Sequence, residues 1–165
     1  MTVNVVRPPQ TPLINGSLAF ELFQTAYVTT DLARARQVLG ERYGVHEWTS
    51  FAPGGGMEIG LAWVRGHQIE VIQAVGTDMP LYTDWLPKTG EFAIHLHHFG
   101  YYIHDDAEWA KMEALLEREN KPVIFGGQAD IVRFAYVDAP ELGHYLEYVY
   151  PTEEGKAFFE SVPAN

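Results

Sequence analysis

The stretch HLHHFGYYIHDD, residues 95–106, places four histidines and two aspartates within twelve positions. Imidazole and carboxylate groups at this density can bind a metal ion, transfer protons, or simply occupy a strand that is rich in histidine. Because side chains alternate between the two faces of a strand, we expect His98 on one face and both His95 and His97 on the other. The stretch by itself leaves all three interpretations open.

An upstream segment repeats the spacing of this stretch. The offset of 74 residues that aligns Gln24 with His98 also aligns the tyrosine and the aspartate that follow each of them. An offset of 77 residues aligns HQIEVIQ with HYLEYVY and places Glu70 on Glu147. Two offsets this similar indicate an internal duplication.

The elements that would position these residues also occur twice in the same order. In the first copy, LAFELFQTAYVTT predicts a strand, Asp31 predicts the N-cap of a helix that Gly44 ends, and three strand-like runs follow. In the second copy a strand precedes a helix capped by Asp105 or Asp106, and three more strand-like runs follow. The six runs are VHEWTSFA, MEIGLAWVRG, HQIEVIQAV, KPVIFGG, IVRFAYVDA and GHYLEYVY.

This order predicts an α+β fold of two tandem βαβββ modules, residues 18–75 and 95–150. Residues 76–94 hold two prolines and two glycines and are predicted to be a connector lying across the fold. Residues 1–17 are predicted to form an extended N-terminal arm, and residues 151–165 a short amphipathic C-terminal helix packed on the outside.

Composition excludes several classes of function. A net charge of −11 argues against nucleic acid or an anionic membrane as the main partner. The absence of cysteine excludes disulfides, thiolate chemistry and cysteine-ligated zinc or iron–sulfur sites. No apolar run is long enough to span a membrane, and the N-terminus does not resemble a signal peptide, so we expect a cytoplasmic protein.

Equivalent positions in a duplicated fold can converge on its pseudo-twofold axis, and four polar residues occupy such positions: Gln24, Glu70, His98 and Glu147. Both glutamates have apolar neighbours in sequence, where a charge needs a partner. An imidazole, an amide oxygen and two carboxylates form a mixed set suited to one divalent first-row metal, Ni, Zn, Co, Mn or Fe. The alternative is structural: a hydrogen-bonded core histidine and glutamates at the rim of exposed strands. Glu47 is a further candidate acid or base.

The paired motifs FQTAYVTTDL and HHFGYYIHDD, with IEVIQ and LGHYLEYV, resemble the vicinal oxygen chelate superfamily over residues 18–150. This superfamily comprises glyoxalases, methylmalonyl-CoA epimerase, extradiol dioxygenases and bleomycin-resistance proteins. The resemblance implies a cupped mixed sheet with metal ligands on the first and last strands of each module, here Gln24, Glu70, His98 and Glu147. The ligand types are most similar to the glyoxalase- or epimerase-like branch, and the resemblance also implies a homodimer.

The resemblance further implies a metal-dependent isomerase, epimerase or lyase that moves a proton on a chelated, oxygenated small molecule. Glu147 is the expected base, with Glu70 as its partner on the opposite side. An extradiol-type dioxygenase is one alternative, although Gln24 departs from the two-histidine, one-glutamate ligand set of those enzymes. A metal-free drug-binding protein is another, although such proteins usually lack the ligands. Only Arg65, Lys88 and Arg133 are candidates to bind the phosphates of a CoA substrate or the carboxylates of glutathione.

Overall fold

The computed structural model describes residues 17–165 except Val75 and Thr77, so the predicted N-terminal arm lies almost entirely outside the described residues. The elements are β1 (Glu21–Thr29), α1 (Leu32–Tyr43), β2 (Thr49–Gly54), β3 (Met57–Val64), β4 (His67–Gln73), α2 (Pro80–Thr83), β5 (Ile94–Tyr102), α3 (Asp106–Arg118), β6 (Val123–Gln128), β7 (Val132–Ala139), β8 (His144–Pro151) and α4 (Glu153–Ser161). Among the described residues, no helix is long and apolar enough to cross a membrane.

The strands form one eight-stranded mixed sheet in the order β2-β3-β4-β1-β5-β8-β7-β6. The first strands of the two modules, β1 and β5, lie side by side and antiparallel at its centre. Each of them also pairs in parallel with the last strand of its own module, β1 with β4 and β5 with β8. A pseudo-twofold axis therefore passes between β1 and β5, which confirms the predicted α+β fold of two βαβββ modules.

The long helices cover the convex face of the sheet. Helix α1 begins at Asp31, whose side chain accepts a hydrogen bond from the Arg34 backbone at 2.9 Å, and ends at Gly44 with a φ of 73°. Its apolar side packs on Ile69 and Val71 of β4. Helix α3 packs on the corresponding face of β8 in the second module. Alternation in the last strands therefore directs Glu70 and Glu147 to the concave face.

The concave face of the first module is filled by the chain's own connector and C-terminal helix. Tyr82 and Leu86 of the connector, together with Phe158 and Phe159 of α4, pack on the apolar side chains of this face. The aromatic side chains of the C-terminal helix cover apolar strand residues that would otherwise face water, while its opposite side is exposed. The short helix α2 in the connector was not predicted.

Two β-bulges interrupt the β1–β5 pairing at equivalent positions. The register skips Phe23 in β1 and His97 in β5, so that each is the extra residue of its strand. A bulge re-aims the side chain of the extra residue. His97 consequently lies beside His98 rather than on the opposite face, and the prediction from simple alternation is wrong at this position.

Candidate metal centre

Strand register places the four predicted residues at equivalent positions. Glu70 of β4 is paired with Ala26 of β1, and Glu147 of β8 is paired with Gly100 of β5. Because Ala26 and Gly100 each lie two residues after Gln24 and His98 respectively, the two halves of the site are built in the same way.

The side chains of Glu70, His98 and Glu147 converge on the concave side of the central strands. One ligand atom from each lies within 4.8 Å of the others. The Nε2 atom of His98 is 3.0 Å from an oxygen of Glu147 and 3.3 Å from an oxygen of Glu70. Although both oxygens are near, this nitrogen makes no well-aligned hydrogen bond with either. Because each residue offers one ligand atom to the same small region, this buried Glu–His–Glu group could hold a metal ion.

The charges in this group are strongly coupled because little solvent reaches them. His98 is fully buried, and each glutamate exposes 8% of its surface. Burial raises the pKa of Glu70, with Glu147 adding to the shift and His98 opposing it. Burial alone would lower the pKa of His98, but the carboxylates of Glu147 and Glu70 outweigh it and raise this pKa to about 9. Without a metal, an imidazolium therefore supplies the positive charge that the two carboxylates require.

Gln24, the fourth predicted residue, is buried in the central strand next to this group. Its Nε2 atom donates a 2.7 Å hydrogen bond to Oε1 of Gln68, which leaves its own Oε1 without a hydrogen-bond partner. That oxygen lies against the backbone of Gly100, where a Cβ atom would approach it to 2.7 Å. A buried amide oxygen without a partner is costly, and the amide nitrogen of Gln68 in the same pair also lacks a partner.

His97 is a residue of the site that strand alternation assigned to the wrong face. Its Nδ1 atom lies 2.8 Å from Nδ1 of His98, and its Nε2 atom lies 2.9 Å from the backbone oxygen of Leu81 in the connector. Burial lowers the pKa of His97 to about 3, with the charge of His98 contributing, so the ring is neutral. The adjacent histidines were visible in the sequence, but the bulge that brings them to one face was not.

The remaining candidates lie away from the centre. His95 bonds to the backbone oxygen of Trp85, His104 to the carboxylate of Glu21, and His144 to a backbone oxygen of the next residue. The backbone of the exposed Glu47 bonds to Asn165 at the C-terminus. None of them belongs to the group formed by Glu70, His98 and Glu147.

Two buried tyrosines cover the centre. Tyr82 of the connector stacks on His97 with 4.9 Å between the ring centroids, and Tyr136 of β7 meets His98 edge-on at 5.0 Å. Burial raises the pKa of both phenols, and the neighbouring carboxylates add to the effect. A cavity of about 570 Å³ lies elsewhere, between α1 and Trp48, and includes none of these residues. The centre is therefore covered by aromatic side chains.

No protein-family model matches the sequence, and no curated protein matches it. Solved structures do match the fold. Methylmalonyl-CoA epimerase from Mycobacterium tuberculosis is 16% identical, aligns over 88% of this chain and 97% of its own, and has a TM-score of 0.63. A variant of the Streptomyces coelicolor epimerase, in complex with 2-nitronate-propionyl-CoA, is 14% identical over 81% of this chain and 96% of its own, with a TM-score of 0.59. A hypothetical protein from Bacillus halodurans is 16% identical over 81% and 95%, with a TM-score of 0.58.

Proposed function

We propose that this chain, which has the glyoxalase-like fold of the methylmalonyl-CoA epimerases, is a metal-dependent isomerase, epimerase or lyase that moves a proton on a small carbon acid. The observation that carries the proposal is the buried group of two carboxylates and an imidazole nitrogen within 4.8 Å of one another. A purely structural core would leave the buried Gln24 oxygen without a hydrogen bond, which is unfavourable.

The residues that would hold the ion are Gln24, Glu70, His98 and Glu147. When bound, a divalent ion supplies a Lewis acid that stabilises negative charge developing on the substrate's oxygens. This set of nitrogen and oxygen donors suits a divalent first-row metal.

Glu147 is the proposed base, and Glu70 is the carboxylate related to it by the pseudo-twofold axis. In this proposal Glu147 removes a proton from carbon and Glu70 returns one from the opposite side or holds the substrate. Tyr82 and Tyr136 cover the centre and exclude water, which strengthens the interactions between the charged groups there.

The charges around the fold favour a substrate without phosphate groups. Arg133 lies over the ring of Trp109 and pairs with Glu113 of α3, on the convex side of the sheet. Lys88 pairs with Asp84 within the connector. The Streptomyces coelicolor epimerase was solved with a CoA derivative. In this chain, however, Lys88 and Arg133 are paired with acidic side chains and Arg65 is exposed in the turn between β3 and β4, so we propose a smaller oxygenated acid or thioester.

Metal content after purification without chelators tests the first half of the proposal. We expect about one ion per chain in the wild type and much less in His98→Ala, with His95→Ala as the control from the same strand. A wild type that carries no metal, and that Ni²⁺, Zn²⁺, Co²⁺, Mn²⁺ and Fe²⁺ fail to load, would exclude the metal centre.

The reaction is tested with 2-oxoaldehyde hemithioacetals, 2-methyl acyl thioesters and catechols, incubated in D₂O with an oxygen electrode present. Deuterium incorporated at carbon supports proton transfer. Oxygen consumption with a catechol would instead identify a dioxygenase. Tight binding without turnover would identify a small-molecule binding protein.

A further inference from the structure

We propose that His97 is a positioning residue for the metal ligand His98, accepting the Nδ1–H of that ring so that its Nε2 lone pair faces Glu70 and Glu147. The inference rests on the proposed function in so far as His98 is a ligand. In this role His97 contacts neither the ion nor the substrate. Its hydrogen bond to the Leu81 backbone links the ligand His98 to the connector.

The direction of each hydrogen bond follows from the chemistry of the partners. The Leu81 carbonyl can only accept, so Nε2 of His97 must carry a proton to bond to it at 2.9 Å. A neutral imidazole carries one proton, so Nδ1 of His97 is an acceptor. The atom 2.8 Å from it, Nδ1 of His98, must therefore be the donor. In neutral His98 this places the only ring proton on Nδ1 and leaves Nε2 free to bind a metal.

Without His97, His98 would have a competing arrangement. A neutral ring that carried its proton on Nε2 could donate to the adjacent carboxylates, at 3.0 and 3.3 Å, and could not bind an ion through that atom. Ligating histidines generally have the second nitrogen fixed by an outer partner, and that partner sets the tautomer. Here the outer partner is a second histidine, whose own tautomer is set by a backbone carbonyl.

Packing holds the His97 ring in the orientation that this role requires. Tyr82 stacks on it, and Tyr145 and Trp85 meet it edge-on with centroids 5.1 and 5.6 Å away. The ring is completely buried. A ring enclosed in this way cannot turn to exchange its two nitrogens without moving the connector.

The duplication supplies an internal comparison. The residue equivalent to His97 in the first module is Phe23, which occupies the matching bulge and packs on Trp63 and Phe159. The neighbouring ligand there is Gln24, an amide that has no tautomers and whose nitrogen is held by Gln68. A polar residue, His97, therefore occupies the bulge of the second module, where the neighbouring candidate ligand is an imidazole.

Nitrogen-15 NMR of the histidine rings in the metal-free protein at neutral pH tests the bond directions without any activity measurement. We expect His97 to carry its proton on Nε2 and to have an unprotonated Nδ1 that is coupled to the proton on Nδ1 of His98. A proton on Nδ1 of His97, or a doubly protonated His97, would overturn the proposal. This result does not depend on whether the protein is an enzyme.

Metal affinity of substituted proteins tests the consequence. His97→Leu removes the acceptor and should weaken Zn²⁺ binding by about 10–100-fold, the usual cost of losing an outer partner of a ligand. His97→Asn can place an amide oxygen near the lost Nδ1, so it should recover part of that affinity. The control is His95→Leu, on the same strand, which should bind as the wild type does.

The outcomes separate the two proposals. Equal affinity in the wild type and in folded His97→Leu would overturn the role of His97 while leaving the metal centre intact. A wild type that binds no metal would overturn the proposed function, and the NMR result would still report the tautomers. If His97→Leu does not fold, His97→Asn and the wild-type NMR spectrum decide the question.

Discussion

At the scale of single residues, the centre depends on the two nitrogens of His98 having different partners. One is held by His97, and the other faces two carboxylates at 3.0 and 3.3 Å. The second nitrogen can hold either a proton or a metal ion. Protons and metal ions therefore compete for the same atom.

This competition predicts a pH dependence of metal binding. The pKa of His98 in the metal-free protein is raised from 6.5 to about 9, so the proton is present across the neutral range and must leave when a metal binds. Affinity should therefore rise about tenfold per pH unit between pH 7 and 9. Calorimetry in buffers of different ionisation enthalpy should count about one proton released at pH 7. His98→Gln, which copies Gln24 at the equivalent position, should bind weakly and without this dependence.

The division of roles between the carboxylates is tested by Glu147→Gln. This substitution keeps the size and an oxygen ligand but removes the basicity, so turnover should fall by about 10²-fold or more. Metal affinity, measured by competition with a chromophoric chelator, should fall by a smaller factor. Glu70→Gln is the matched comparison because Glu70 occupies the equivalent position in the first module. A larger loss of turnover in Glu70→Gln would reverse the two roles.

The four candidate ligands were predictable because the duplication aligns them, and three of the four lie together in the structure. The position of His97 was not predictable from its spacing. Strand alternation assumes a regular ladder, and the extra residue of a bulge breaks that rule. The bulge depends on the pairing of β5 with β1, which are distant in sequence, and no local pattern around His97 reports it.

At the scale of elements, the central strands approach each other closely because Gly100 has no side chain. A Cβ atom there would come within 2.7 Å of Oε1 and 2.9 Å of Cβ of Gln24. Both distances are shorter than real contacts, so Gly100→Ala should displace Gln24 and weaken metal binding. Gly127→Ala is the control, because a Cβ there meets nothing within 4 Å. Unchanged metal affinity in folded Gly100→Ala would show that Gln24 is not a ligand.

The elements that local signals specify were predicted well, and those that depend on tertiary packing were not. Helix α1 has an N-cap at Asp31 and a glycine at its end, and both are visible in the sequence. Helix α2 has four residues and no capping side chain, so little in its sequence marks it. Its position, with that of α4, is set by the apolar concave surface that both cover.

At the scale of the whole molecule, strand β6 forms one end of the sheet, and its outer edge pairs with no other strand that the structure describes. Val123, Ile124 and Phe125 in this strand are 46%, 43% and 38% exposed. An apolar edge strand is a template for pairing with another chain. We therefore propose that this edge contributes to the homodimer that the family resemblance implies. Light scattering should report a dimer for the wild type and a monomer for Ile124→Lys. The control is Leu142→Lys, which alters an exposed apolar side chain away from this edge.

The antiparallel pairing of β1 with β5 also has a stereochemical consequence. A site with perfect twofold symmetry would place chemically equivalent carboxylates at the two faces of a planar carbanion. Here the symmetry is broken where an amide in one module stands opposite an imidazole in the other, with Phe23 and His97 behind them. If the proposed proton transfer takes place at this centre, the two carboxylates act from unequal surroundings, and we expect different rates of proton removal from the two enantiomers of a substrate.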